Sequence, residues 1–267
     1  MRVIESLLSS IDYTIILAST NNNIEKEKKC IESILARNVD ALIVEPTKSA
    51  IYNPNINYYL NLETNNSIPY VMFNAIYPQL QAPSLTMDDE LGGFIATEHL
   101  IQLGHKKIIG IFKTDDLQGV NRMKGFIRAH RQYDTPITPG MIISYNTEDK
   151  MDHIIRKVRA LLSQFKDEIT GIFCYNDAVS LNVINLLREL NLRIPEDISV
   201  VGYDDSYLAE MSEIKLTSIE HPKRKMGEDA AQLIVNILEG KIPNAPSQSI
   251  VYKPKLIVRT SSGPAKW

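Results

Sequence analysis

The chain has little of what usually betrays a function at first sight. It contains two cysteines, Cys30 and Cys174, and they fall in a predicted helix and a predicted strand, outside any metal-ligand or redox spacing. A disulfide framework is thereby excluded, and reduced, buried thiols in a cytoplasmic protein are expected. No apolar run approaches the roughly 18 residues that cross a membrane. The first ten residues do not resemble a secretory signal, because Glu5 and the serines interrupt any apolar core. There is no basic excess either. The net charge is -3, whereas domains that hold nucleic acid through bulk electrostatics show a basic stripe.

The signatures of catalysis are missing as well. The sequence holds no G-x-G-x-x-G, no Walker loop, no G-x-S-x-G and no H-E-x-x-H. Its five histidines are scattered, so neither a metal site nor a cofactor is expected. Asp88, Asp89 and Glu90 are adjacent acids, but they precede a helix, where the dipole favours negative charge. No nucleophile–base constellation emerges, and no catalytic residue is nominated.

What is present is an alternation of strands and helices. With 44% apolar and 23% charged residues, the composition is that of an ordinary globular protein, and the length suffices for two lobes. The stretch from Ile169 to Ser206 sets the theme. Thr170 to Cys174 reads as a buried strand, Asn176-Asp177 as a helix start, and Val179, Val183, Leu186, Leu187 and Leu190 as one apolar helix face. Pro195 is expected to stop that helix, and Ile198 to Gly202 is a second strand ending on Tyr203, Asp204 and Asp205. This is a β-α-β unit with parallel strands.

The same arrangement recurs. Strands are predicted at 13–18, 41–44, 69–73, 108–112, 141–145 and 216–220, with two more between 251 and 260, broken at Pro254. Helices are predicted at 24–37, 56–65, 89–103, 120–131, 150–165 and 222–239. The pattern indicates an α/β fold with parallel sheets. Residues 1–10 look like the second half of an amphipathic helix with no strand before it. A doubly wound domain normally opens on a strand at the middle of its sheet, so the N-terminal strand is read as missing.

Polar residues punctuate the carboxyl ends of the predicted strands: Ser19-Thr20, Glu45, Asn74, Lys113, Tyr145, Asn176 and Asp204. Ligands of open α/β sheets bind beyond those ends. Carboxylates and amides pair with sugar hydroxyls, and cations answer hydroxyl and ring oxygens, so the set suits a polyhydroxylated ligand. Turns and caps are polar in any case, and Asp177 and Asp205 read as caps.

Five ordered stretches, LGHKKIIGIF, RMKGFIRAH, IPEDISVVGYDD, LTSIEHP with KMGEDAA, and the closing PKLIVRTSS, resemble the effector-binding region of the LacI/GalR repressors. STNNN, IVEPTKSA, NYYLNLE and IFKTDDLQGVNRM resemble the arabinose-responsive members, whose DNA-binding head is a GntR-type winged helix. The resemblance implies a two-lobed, periplasmic-binding-protein-like fold with a doubly wound parallel sheet in each lobe. The lobes would be residues 1–104 with 222–253 and residues 105–221 with 254–267. It implies effector contacts at Arg122 of the R-x-x-G-F motif, Asp204 of GYDD, Asn176 of YND, and Glu45 and Asn74 at strand ends of the first lobe. His221 either contacts the effector or serves as a hinge residue, and Lys113 is nominated by its placement. The implied partners are a sugar effector, L-arabinose, held in the interlobe cleft, and a second copy in a homodimer. Operator DNA would be bound only through an N-terminal winged helix that this sequence does not contain. A sugar-binding protein of an ABC transporter shares the fold but needs an export signal, and an α/β enzyme needs catalytic groups that the motifs do not supply.

Overall fold

The computed structural model describes residues 2–65 and 68–266. In chain order it begins with α1 (Arg2–Ser9), α2 (Ile24–Leu35), β1 (Leu42–Val44), α3 (Ile56–Asn65), β2 (Tyr70–Asn74) and β3 (Ser84–Met87). There follow α4 (Asp89–Gln102), β4 (Lys107–Lys113), α5 (Leu117–Gln132), β5 (Ile142–Tyr145), α6 (Met151–Gln164), β6 (Ile169–Cys174) and α7 (Asp177–Glu189). The chain closes with β7 (Ser199–Asp204), α8 (Tyr207–Met211), β8 (Thr217–Glu220), α9 (Lys223–Leu238), β9 (Ile250–Tyr252) and β10 (Lys255–Ile257).

Two compact units result, one from residues 1–87 with 222–252, the other from residues 88–221 with 253–267. The sequence alone predicts the first division after Gly104, yet α4 belongs to the second unit. Its glycines explain why. A Cβ at Gly93 would lie 2.2 Å from the Arg122 carbonyl oxygen, and one at Gly125 of α5 would lie 2.1 Å from the Glu90 carbonyl oxygen. Helices α4 and α5 thus touch backbone to backbone, a closeness that side chains would prevent.

In the first unit β1, β2, β3 and β9 form a parallel sheet in that order. Its core joins Val71 and Leu85 of the sheet to Met226, Ala230 and Ile234 of α9 and to Ile4 and Leu8 of α1. A second cluster, with Tyr59, Tyr70, Met72 and Tyr77, packs beside it. Strand β3 escapes the sequence pattern because only four residues, between Pro83 and Asp88, carry it.

Residues 13–18, predicted as a strand, form none. Apolar character sets a preference, but a segment is a strand only once its N–H and C=O groups pair with a neighbour's, and these do not. Among the described residues, strand β1 pairs with β2 on one edge only. A cavity of about 580 Å³, lined by residues 12–18, by 37–43 and by Ile4, Leu8, Ile34, Ile234 and Leu238, lies against both segments. Ile16 and Leu17 are left exposed.

The second unit holds a sheet in the order β10-β8-β7-β6-β4-β5, parallel except for β10, which runs antiparallel to β8. Every residue of β6 is buried, which is why that strand reads as a continuous apolar run. Helix α7 seats Val179, Val183, Leu186 and Leu187 in the core, each contributing about 1.5–3 kcal/mol by burial. It ends earlier than Pro195 suggests. Asn191 adopts φ +56°, and Leu192 N–H donates to the Leu187 carbonyl at 2.9 Å, a left-handed cap that closes the last turn. No helix among the described residues is long and apolar enough to cross a membrane.

Candidate functional site

The parallel strands β4, β6 and β7 lie side by side, with Ile111 opposite Cys174 and Phe173 opposite Val201. Their carboxyl ends therefore bring Lys113, Tyr175-Asn176 and Asp204 to one edge of the second unit. The strand interiors are apolar because both faces are covered. Polarity returns where the backbone leaves the sheet and helices begin, and there Asp116 caps α5 through Gly119 N–H (2.7 Å).

Arg122 stands at the centre, 1% exposed. Its Nε donates to Asp89 Oδ1 at 2.9 Å and its Nη1 to the Tyr175 carbonyl at 2.8 Å. Nη2 lies 3.6 Å from Asp204 Oδ1. The guanidinium also covers the Tyr203 ring, 3.6 Å from its centroid, and faces that of Tyr175 at 4.9 Å. Burial works against the charge on Arg122, but Asp89 and Asp204 outweigh it and raise the pKa. Burial likewise pushes the Asp89 carboxyl up, against the pull of Arg122. A charge so deeply buried is tolerated only when paired and hydrogen-bonded on every side.

From Arg122 the polar chain continues. Tyr175 Oη donates to Asp116 Oδ2 at 2.9 Å, and Asp116 in turn lies 3.2 Å from Lys113 Nζ. Lys113, Arg122 and Asp204 thus belong to one network. Asn176 stands next to it, and its Oδ1 caps α7 through Val179 N–H at 3.0 Å. Tyr145 is buried, its ring edge-on to that of Tyr175. His221 is half-buried and stands just past β8, where the chain leaves the second unit for α9. Asp177 accepts from Ser206 N–H and Ser218 Oγ, both at 2.6 Å, and Asp205 pairs with Arg259. Both acids are structural.

In the first unit Asn74 Nδ2 donates to Glu45 Oε1 at 2.9 Å. Glu45 is exposed, while Asn74 Oδ1 is buried with no hydrogen-bond partner among the described residues. Asn74 and Asp204 share a further trait, φ values of +65° and +95°. Non-glycine residues held in that region carry backbone strain, which collects at functional sites.

Asp89, Asp116, Tyr175 and Tyr203 complete the network, and pattern reasoning misses all four. Asp89 is indistinguishable in sequence from a helix-dipole acid, and Asp116 from a plain cap. The tyrosines have neighbours, Asn176 and Asp204, that carry a signal, but only the fold places their rings against Arg122. Arg122, Asp89, Asp116 and Tyr203 are buried, while Lys113, Tyr175, Asn176 and Asp204 are half-buried at the margin of the network, a cation, a ring, an amide and a carboxylate. That is chemistry for holding a polyol, with the charges preorganised by their mutual bonds.

Comparison with known proteins gives the family and the fold. Residues 97–262 match the periplasmic binding protein-like domain. The arabinose metabolism transcriptional repressor of Halalkalibacterium halodurans is 49% identical over 269 residues, spanning 100% of this chain and 72% of the relative. The protein of the same description from Geobacillus stearothermophilus is 45% identical, over 98% of this chain and 72% of its own length. Among solved structures, a LacI family transcriptional regulator from Enterococcus faecium with bound ribose superposes with a TM-score of 0.82 at 26% identity. That superposition covers 99% of this chain and 93% of the other.

Proposed function

The chain belongs to the periplasmic binding protein-like family of LacI-type transcriptional regulators, and from that premise we propose that it senses L-arabinose. It is the effector-sensing region of a transcriptional repressor. The proposed sugar contacts are Lys113, Arg122, Asn176 and Asp204 of the second unit and Glu45 and Asn74 of the first, with His221 as a further contact. The observation that carries this reading is the Arg122 network, in which carboxylates and cations are fixed at the carboxyl ends of a parallel sheet. It is supported by 49% identity to a repressor of arabinose metabolism and by likeness to a ribose-bound regulator.

The sugar acts by shifting an equilibrium between operator-binding and operator-releasing states, and only as far as its affinities for the two differ. The repressor works as a homodimer in the cytoplasm and grips its operator through a separate DNA-binding head. Thermal unfolding with L-arabinose, xylose, galactose and ribose tests the ligand. At about a hundred times its dissociation constant a ligand adds roughly 2.7 kcal/mol, which raises the midpoint by about 5–10 °C. A rise with arabinose alone is expected, and a melt indifferent to every sugar overturns the assignment.

A further inference from the structure

We propose that Glu27 is a positioning residue for sugar binding, a buried carboxylate that locks the two loops carrying Glu45 and Asn74. The inference rests on the reading of those two residues as sugar contacts. Glu27 lies in the first turn of α2, 2% exposed, and no cation pairs with it among the described residues. Neutral donors meet its charge instead. Oε2 accepts from Asn53 Nδ2 at 2.6 Å and from Asn55 Nδ2 at 3.0 Å. Oε1 accepts from Tyr77 Oη at 2.8 Å, with Tyr59 Oη farther off at 3.4 Å.

The origin of these donors gives the lock its meaning. Asn53 and Asn55 close the loop that follows β1 and starts at Glu45. Tyr77 stands three residues beyond Asn74 in the loop that follows β2. The same groups hold the backbone beside Glu45: Thr47 N–H donates to Tyr77 Oη at 2.8 Å, and Asn53 Nδ2 donates to the Thr47 carbonyl at 3.2 Å. A third loop is tied in, since Thr47 Oγ1 donates to Thr20 Oγ1 at 2.9 Å and Lys48 N–H to Asn22 Oδ1 at 2.7 Å.

Only an acceptor with two oxygens can hold this set together. A carboxylate offers about four lone-pair sites, whereas the amide of glutamine would turn N–H groups toward donors. Asn53, Thr47 and Tyr77 are themselves buried, so water is poorly placed to repair a missing bond. Burying an unpaired carboxylate is a costly way to stabilise a core that apolar side chains could fill. Its position between the loop that starts at Glu45 and the loop that follows Asn74, two residues that hydrogen-bond each other, points to positioning.

Isothermal titration with L-arabinose provides the test, on the wild type, Glu27→Gln and Tyr77→Phe. The phenylalanine keeps the ring beside Tyr59 and deletes only the hydroxyl, so it decides the matter if Glu27→Gln fails to fold. Each variant is expected to bind at least about tenfold more weakly, because each breaks at least one hydrogen bond to a charged group. In a Glu45→Ala background, where one of the two positioned contacts and the Glu45–Asn74 bond are already gone, adding Glu27→Gln should cost clearly less affinity than it does in the wild type. Ile234→Val, in the other core cluster of the same unit, should keep wild-type affinity. Additive losses in the double variant, or weakened binding in Ile234→Val, would reduce Glu27 to general stability and overturn the proposal. Wild-type affinity in Glu27→Gln and Tyr77→Phe overturns it too, while leaving the sugar reading intact. A wild type that binds no arabinose overturns both.

Discussion

Replacing Arg122 by leucine removes the cation on which two carboxylates depend. Arg122 and Asp89 are 1% and 4% exposed, and their Nε–Oδ1 contact is 2.9 Å. Leucine would leave Asp89 buried, unpaired and near Asp204. Removing one member of a buried pair costs about 3–5 kcal/mol. At roughly 2–4 °C per kcal/mol for a chain of this size, the melting temperature should fall by about 10 °C. The deficit should depend on pH, and its sign follows from Asp89. Burial already raises that carboxyl above its ordinary value against the pull of Arg122, and without Arg122 the rise is larger. A carboxyl whose folded pKa lies above its unfolded one contributes its full stability below the unfolded value and loses it as pH rises through the folded value. The deficit of Arg122→Leu is therefore greatest at neutral pH and shrinks in acid. Adding Asp89→Asn removes the stranded charge, and should restore much of the loss at neutral pH and flatten the pH dependence. Calorimetric melts of the wild type and both variants, at neutral pH and near pH 5, decide it. A loss below about 1 kcal/mol, the range of exposed ion pairs, would refute the picture of Arg122 as the buried centre of the network. So would a deficit equal at both pH values.

Two further outcomes follow from the second unit. Gly93→Ala would set a Cβ 2.2 Å from the Arg122 carbonyl oxygen and force α4 from α5. Overpacking of this kind costs about 1–3 kcal/mol, to be read from denaturant midpoints, and an unchanged midpoint would show that the helices can part freely. His105 is buried between Thr170 Oγ1 (2.9 Å) and the Gly263 carbonyl (3.0 Å), and burial lowers its pKa. A depressed histidine contributes stability that is present above the unfolded pKa and lost as pH falls through the folded one. The unit should therefore weaken below about pH 6.5, and His105→Gln should reduce that slope. Half-buried His99 and buried His130, whose pKa values burial also lowers, supply the remainder.

The residues themselves determined most of the local structure, and the reason is short range. Apolar periodicity, caps and glycine stops act within a few residues, so β4, β6, β7 and the helices between them were legible. Placing polar residues at strand ends also located Lys113, Asn176 and Asp204 at one edge, because parallel connection leaves no other place for them. Where a partner distant in sequence decides, the pattern falls silent or misleads. Residues 13–18 have the apolar character of a strand yet join no ladder, although β1 keeps an unpaired edge among the described residues, and four-residue β3 exists because β2 and β9 flank it. Asp89 looks like any acid at a helix start until α5 brings Arg122 to it across 33 positions. Glu27 looks like a surface residue of a charged helix until loops from both sides of β2 close over it. Sequence alone settles what each segment prefers, because propensity is local. Only tertiary structure settles which charges are buried together, because that depends on desolvation, and desolvation belongs to the packed whole.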